Sequence, residues 1–301
     1  MYNKTTAEAS PTGRSITSFV AVTLLLGSAA QLLAIRTGLE TRGRIWLLLA
    51  MWAPAISAFS TGAPNRQLAW AALKKSGWRF LGHGLTLGFA PTFLKTLLLA
   101  VTGSGQWDSQ HFELSPGGHS LNAVHHLMLL GSGPQSFSYF GLNLTLSITV
   151  WAMMVALTLA IGEEVGWRGV LQPSMEARYS RFRGTLYVGV IWAFWHLPLN
   201  LKGYNDSSRP FLNALLLFPI ALVAFSFVLA WLTRASGSVW PAALAHGANN
   251  TISPAFLLTA KSWGADSAAG LIGMLLVVAI VVGSTWRTRS SDSGTVALPK
   301  A

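Results

Sequence analysis

The sequence predicts an all-α integral membrane protein with about eight transmembrane helices. Of its 301 residues, 51% are hydrophobic and only 10% are charged, whereas about a quarter of the residues in soluble domains are charged. Apolar segments of about 20 residues, long enough to cross a bilayer as a helix, recur along nearly the whole chain. Because lipid offers the backbone no hydrogen-bond partners, continuous segments of this kind are expected to be helical.

The apolar segments give approximate limits for each predicted span. They cover residues 16–35, 45–62, 80–101, 142–161, 184–201, 211–232, 239–258 and 268–286. Residues 1–15 and 287–301 are then cytoplasmic tails on either side of a helical bundle that occupies residues 16–286. The seventh span is the least hydrophobic, because it contains His246, Asn249 and Asn250.

Lysine and arginine are distributed unevenly between the predicted connections. The N-terminal tail, the connections 2–3, 4–5 and 6–7, and the C-terminal tail contain 14 of these residues, and the opposite connections contain 6. The positive-inside rule therefore predicts a multi-pass protein of the plasma (inner) membrane with both termini in the cytoplasm. Lys95 falls inside the third span and is expected to face the bundle interior or the interface.

Charge and cysteine content exclude several classes of function. The net charge is +11, but the basic residues are scattered between apolar segments and form no stripe with interleaved aromatics, so nucleic acid is not an expected partner. The chain has no cysteine, which excludes disulfides, thiolate metal sites and thiol nucleophiles.

Three features leave alternatives open. The segment 66–79 fits an amphipathic interfacial helix and a basic connecting loop equally well. The loop 102–141 lacks lysine and arginine, and its histidines match no recognised metal-ligand spacing, which favours a solvated external loop. Gly84 and Gly88 permit close helix contact, either between copies of the chain or inside the bundle. The histidines of the loop are His111, His119, His125 and His126.

Glu163 and Glu164 directly follow an uninterrupted apolar run. Ionisable residues at membrane depth are costly and usually face the bundle interior or an aqueous cavity. Arg168 lies four residues after Glu164, so the two side chains share one helix face and can form an ion pair. Glu163 then points elsewhere and is available for another role. On its own, the pair fits a helix-end charge cluster slightly better than an active site.

Two further spans supply polar groups of the kind that acid–base hydrolysis requires. Span five contains Trp192 and His196, and span seven contains His246 and Asn250, which are four residues apart and share a helix face. A lone histidine in an apolar span is usually a packing residue. Polar groups on three separate spans favour a functional site instead.

These motifs resemble those of the CPBP intramembrane proteases, which include the type II CAAX prenyl endopeptidases. The residues from Glu163 to Arg168 match the family's EExxxR motif, and those from His246 to Asn250 match its HxxxN motif. The FxxxH motif appears with Trp192 in place of the usual phenylalanine and ends at His196. The resemblance covers a core at about 142–258, and the N-terminal third is similar only in hydropathy.

The resemblance implies an intramembrane endopeptidase whose site lies in a cavity open towards the cytoplasm. It implies that Glu163, assisted by His196, activates a water molecule, and that His246 and Asn250 stabilise the oxyanion. Glu164 and Arg168 would orient the helix and tune Glu163, and Trp192 would support the site. The substrate is expected to be a membrane-embedded or lipidated protein or peptide, and no cofactor or metal is expected.

Other interpretations of the same residues remain. Two histidines and a glutamate could hold a catalytic zinc ion with water in the fourth position, although no HExxH pair is present and asparagine is a poor zinc ligand. A non-catalytic scaffold or immunity protein is a second alternative. A transporter is disfavoured, because the first, second and eighth spans contain almost no polar residues.

Overall fold

The structure is a computed structural model, and it describes residues 13–124, 128–251 and 257–292. Most of both predicted tails, together with His125 and His126, therefore lies outside the described residues. The predicted division into tails and a bundle stays a prediction.

Helices make up most of the described chain. In chain order they are α1 (Gly13–Thr37), α2 (Gly43–Ser60), α3 (Ala63–Ala72), α4 (Trp78–Val101), α5 (Phe137–Val155), α6 (Ile161–Gly166), α7 (Gln172–Arg178), α8 (Arg181–Trp195), α9 (Leu197–Leu201), α10 (Pro210–Leu212), α11 (Phe218–Ser236), α12 (Trp240–Thr251) and α13 (Trp263–Asp292). The π-helical turns lie at Gly38–Arg42, Ala156–Ala160, Trp167–Leu171 and Asn213–Leu217. Two of these turns join α5, α6 and α7 into one continuous helix.

The predicted all-α polytopic membrane fold is confirmed. Five helical segments in the described residues are long and apolar enough to cross a membrane: Gly13–Ser60, Trp78–Val101, Phe137–Arg178, Pro210–Ser236 and Trp263–Gly283. The first of these segments contains both α1 and α2, which a kink separates, because Thr41 leaves the helical region with φ −123° and ψ −114°.

The predicted count of eight spans is not confirmed. The fifth and seventh predicted spans correspond to α8 with 15 residues and α12 with 12 residues. At 1.5 Å per residue α12 is about 18 Å long, which is short of the roughly 30 Å of a bilayer's hydrocarbon core. Span eight also differs from its prediction, because α13 continues beyond residue 286 to Asp292.

The connections between helices meet at two ends of the bundle. At the end called here the basic end (residues 13–15, 61–77, 176–183 and 234–240), the Ser15 hydroxyl donates to Asn65 Oδ1 at 3.0 Å. At the opposite end, called the strand end (residues 102–136, 202–209 and 257–262), the Trp263 indole donates to Asp206 Oδ2 at 2.6 Å. The basic end contains the connections 2–3, 4–5 and 6–7, and the strand end contains the connections 3–4, 5–6 and 7–8, which is how the lysine and arginine count groups them. The cytoplasmic location of the basic end stays a prediction.

Short strands fill the loop 102–141 at the strand end. Strand β1 (Gly105–Trp107) pairs antiparallel with β5 (Leu258–Ala260), with Gly105 opposite Ala260. Strands β2 (Phe112–Leu114), β3 (Ser120–Ala123) and β4 (Gln135–Ser136) form an antiparallel sheet in the order β2-β3-β4. A separate small core lies under this sheet and contains Phe112, Leu121, Ala123, Met128 and Phe140. The loop is therefore folded over its own core.

Helix α3 gives the basic segment 66–79 an amphipathic structure. Ala69 is fully buried against the bundle, whereas the Trp70 side chain is 64% exposed and Arg66 is exposed beside it. The backbone after the helix is also held, because the Ser238 hydroxyl donates to the Lys74 carbonyl at 2.5 Å. A helical structure over Arg66–Ala72 is thus observed, and its position at a lipid interface stays a prediction.

Lys95, Gly84 and Gly88 on α4 contact neighbouring helices of the bundle. The Lys95 ammonium is 2.5 Å from Asp266 Oδ1 at the start of α13. A Cβ atom at Gly84 or Gly88 would overlap the backbone carbonyl of Pro241 or Ala245 on α12. The two glycines therefore serve internal packing of α4 on α12, the helix that contains His246.

Substitution of Gly88 tests this close packing. Gly88→Ala is expected to lower the melting temperature, because the added methyl group meets backbone that cannot rotate away, and overpacking typically costs about 1–3 kcal/mol. Gly82→Ala on the same helix is the matched control, since nothing lies within 4 Å of its Cβ position. The measurement is thermal unfolding of the detergent-solubilised protein. Equal melting temperatures for the two variants would contradict the packing.

Candidate active site

Glu163 and Glu164 lie on α6, a six-residue helix with a π-helical turn on each side. Single π turns inside α-helices are rare and occur frequently at functional sites, because each one locally disrupts the regular hydrogen-bond ladder. Every residue of α6 is buried, and the exposed fractions of Glu163 and Glu164 are 1% and 0%. Buried carboxylates require hydrogen-bond or ionic partners, and the structure supplies both.

Glu164 accepts two hydrogen bonds on the same oxygen. Arg168 Nη1 donates to its Oε1 at 3.2 Å, which is the ion pair expected from the four-residue spacing. His246 Nδ1 lies 2.8 Å from the same oxygen and bridges from α12. Donation from Nδ1 to the carboxylate fixes this nitrogen as protonated and leaves Nε2 for another partner. The sequence did not indicate that His246 and Glu164 bond to each other.

Glu163 accepts hydrogen bonds from two tryptophan indoles. Trp192 Nε1 donates to its Oε2 at 2.6 Å, and Trp167 Nε1 donates to the same oxygen at 3.2 Å. Trp167 was missed by the sequence analysis, although it lies four residues after Glu163 and therefore on the same helix face. The four-residue interval between Glu163 and Trp167 inside the EExxxR motif could have indicated this contact.

His196 directly follows α8 and lies among aromatic rings. Its Nδ1 is 2.9 Å from the Trp192 carbonyl, so Nδ1 is the protonated nitrogen and Nε2 is available as an acceptor. The imidazole packs against Trp195, Phe218 and Trp192, with ring centroids at 4.6, 5.1 and 5.8 Å. Its ring is therefore held in place by contacts on three sides.

Trp192 lies at the centre of the cluster. The Arg168 guanidinium lies over its ring at 4.2 Å from the centroid, and the His246 ring meets it edge-on at 5.2 Å. Together with the bonds to Glu163 and His196, these contacts join residues of α6, the following π turn, α8 and α12.

Asn250 lies outside the buried cluster, unlike Glu163, Glu164 and His246. It lies on the last turn of α12, one turn after His246, and its side chain is exposed. In the part of the chain that the structure describes, no hydrogen bond joins it to the buried cluster. Asn249 beside it is half-buried.

Two further buried residues support the cluster, and no sequence motif indicated them. Arg168 Nη2 donates to the Ser226 hydroxyl of α11 at 3.3 Å. The Gln31 amide of α1 donates to the Trp195 carbonyl at 2.7 Å and so holds the end of α8. Within the described residues, no group of three or more histidine and acidic side chains is arranged to hold a metal ion.

Comparisons with known proteins give two matches, one of which covers the part of the chain that contains this cluster. Residues 145–252 match the family described as "Type II CAAX prenyl endopeptidase Rce1-like". A segment of 83 residues is 28% identical to "CAAX prenyl protease 2" of Methanococcus maripaludis, and it covers 27% of this chain and 31% of that relative. The chain thus spans about a third of the length of the relative that it matches. Over this part of the chain, the matches confirm the predicted resemblance to the CPBP/CAAX proteases.

Removal of Arg168 tests the electrostatics of the buried pair. Arg168→Ala is expected to lower the yield of folded protein strongly, because it leaves Glu164 buried without its cation, a loss of about 3–5 kcal/mol for buried pairs. Arg183→Ala, at an exposed arginine of α8, should have no such effect. The measurement is the monodisperse fraction after detergent extraction. Wild-type yield and melting temperature for Arg168→Ala would refute this role of the pair.

Proposed function

We propose that this protein is an intramembrane endopeptidase that hydrolyses a peptide bond in a membrane-associated substrate. The observation that most supports this function is the buried cluster of Glu163, Glu164 and His246 with Trp192. These polar groups come from the three helices α6, α8 and α12, and each carboxylate has specific partners. A scaffold protein has no physical need for two carboxylates and two histidines in an apolar interior.

Glu163 is the proposed general base, assisted by His196. The indoles of Trp192 and Trp167 hold its Oε2, which leaves Oε1 to accept a proton from the attacking water. His196 has its Nε2 available to orient that water, because its Nδ1 is engaged with the Trp192 carbonyl. As the water oxygen adds to the substrate carbonyl, its proton passes to Glu163, which then delivers it to the departing amine.

His246 and Asn250 are the proposed donors to the oxyanion. Since Nδ1 of His246 donates to Glu164, the ring can donate from Nε2 as well only when it is protonated. One oriented donor to an oxyanion is worth about 3 kcal/mol of barrier. Asn250, one turn further along α12, is the proposed second donor.

The substrate is proposed to be a lipid-modified protein or peptide in the inner membrane. The family match and the name of the relative both refer to CAAX prenyl proteases, and the many exposed apolar side chains of the bundle favour a substrate that is itself held in lipid. The proposal places both termini in the cytoplasm, so that the basic end faces the cytoplasm.

Glu163→Gln is the primary test of the proposed function. It is expected to lower the rate of cleavage by about 10²- to 10⁴-fold, because the amide cannot accept the proton of the water. The assay uses purified protein in lipid vesicles and a farnesylated fluorogenic peptide that ends in a CAAX sequence. Glu113→Gln, at an exposed glutamate of β2, is the control and should cleave at the wild-type rate. Cleavage by Glu163→Gln at the wild-type rate would refute the proposal.

Chelation distinguishes the glutamate mechanism from the zinc-dependent alternative. In the glutamate mechanism the chain's own residues activate the water, so prolonged treatment with a strong chelator is expected to leave the cleavage rate unchanged. The measurement combines that rate with elemental analysis of the purified protein. Loss of activity that zinc restores would establish the metalloprotease alternative.

A further inference from the structure

We infer that Trp192 is a positioning residue for Glu163, whose indole N–H fixes one carboxylate oxygen and so directs the other towards the attacking water. The inference rests on the proposed function and assigns a role to a residue at which the chain departs from its family's usual motif. That motif has phenylalanine at this position, and phenylalanine has no N–H group.

The hydrogen bond between Trp192 and Glu163 is short and fully enclosed. The distance from Nε1 to Oε2 is 2.6 Å, and both side chains are at most 1% exposed. A buried N–H donor to a charged acceptor makes a stronger and more directional hydrogen bond than a neutral pair at the surface. Trp167 makes the longer bond of 3.2 Å from the turn that follows α6, so it moves with the helix that bears Glu163. Among the hydrogen bonds observed in the described residues, the one from Trp192 ties Glu163 to a different helix.

The indole ring of Trp192 has contacts on several sides, so its N–H has a fixed direction. The Arg168 guanidinium lies over the ring at 4.2 Å from its centroid. The His246 ring meets it edge-on at 5.2 Å, and Phe225 stacks on it at 6.5 Å. A donor held in this way requires no reorganisation when the reaction begins.

The same residue also sets the position of His196. The Trp192 carbonyl accepts the hydrogen bond from His196 Nδ1 at 2.9 Å. The side chain of Trp192 therefore holds Glu163, and its backbone holds His196. One residue thus contacts both of the groups that are proposed to activate water. Trp192→Phe removes the bond to Glu163 and keeps both the backbone carbonyl that accepts from His196 and an aromatic ring, which is smaller than the indole.

Another tryptophan of the chain provides a closely matched control. Trp263 Nε1 also donates to a carboxylate oxygen at 2.6 Å, that of Asp206, and the Arg209 guanidinium lies over its ring at 4.5 Å. Trp263→Phe therefore removes the same type of hydrogen bond and keeps the same type of ring contact, but at the strand end of the bundle and outside the cluster. A general effect of losing an indole–carboxylate bond would appear in both variants.

The test measures kcat and KM for both variants on the farnesylated peptide in vesicles. Trp192→Phe is expected to lower kcat by about 10- to 100-fold, the range found when the outer hydrogen-bond partner of a metal ligand is removed, and to leave KM unchanged. Trp263→Phe is expected to leave both constants at their wild-type values. A merely structural role of Trp192 would lower the melting temperature or raise KM instead. An unchanged kcat for Trp192→Phe would overturn the inference.

Two further variants test the same inference, and kcat is measured on the folded, monodisperse fraction of each variant so that a lower yield does not count as a lower rate. Trp167→Phe removes the longer of the two bonds to Glu163 and should lower kcat less than Trp192→Phe does. In a Glu163→Gln background, Trp192→Phe should cause no additional loss, because the group that it positions has already been disabled. A larger effect of Trp167→Phe, or a full additional loss in the double variant, would overturn the inference.

The same assay separates failure of the inference from failure of the proposed function. If Glu163→Gln cleaves the peptide as fast as the wild type does, the proposed function is wrong and the role of Trp192 falls with it. If Glu163→Gln is inactive while Trp192→Phe matches Trp263→Phe, the endopeptidase proposal stands and only the positioning role of Trp192 is refuted.

Discussion

The burial of two adjacent carboxylates in an apolar bundle is the constraint on which the rest of the structure depends. Charge in such an environment is tolerated only with well-placed partners. The partners come from the π turn after α6, from α8 and from α12. Glu164 takes Arg168 and His246, and Glu163 takes the indoles of Trp192 and Trp167. Each partner is in turn supported by a residue of another helix, such as Ser226 for Arg168. The hydrogen bonds that the glutamates and their partners make thus fix α6, α8, α11 and α12 relative to one another.

Close backbone approach makes this arrangement possible. Gly162 and Gly166 flank the glutamate pair, and a Cβ atom at either position would collide with α2. Gly247 follows His246, and a Cβ atom there would collide with the backbone of α5 and of the π turn after it, at Ala152 and Ala156. Small residues on both sides of the functional residues let three helices approach closely without side chains between them. His196 directly follows the short helix α8, and Asn250 lies in the last turn of the short helix α12 with an exposed side chain.

The sequence predicted the features that depend on local spacing and composition. Apolar runs predicted the membrane fold, and the four-residue interval predicted the Glu164–Arg168 pair. Contacts between distant helices were not predictable in this way. No periodicity indicates that His246 bonds to Glu164, that Ser226 meets Arg168, or that α12 has only 12 residues. The π turns around α6 have no sequence signature either. These features follow from packing between segments that are far apart in the chain.

The most direct measurement of the central claim is a comparison of protein termini in membranes that contain the wild-type protein or its Glu163→Ala variant at equal levels. The account predicts that membrane-associated, lipid-modified proteins have new termini in wild-type membranes that are missing when Glu163 is replaced. Identical sets of termini in the two membranes, with both proteins folded and present, would contradict the claim that this buried glutamate serves peptide-bond hydrolysis.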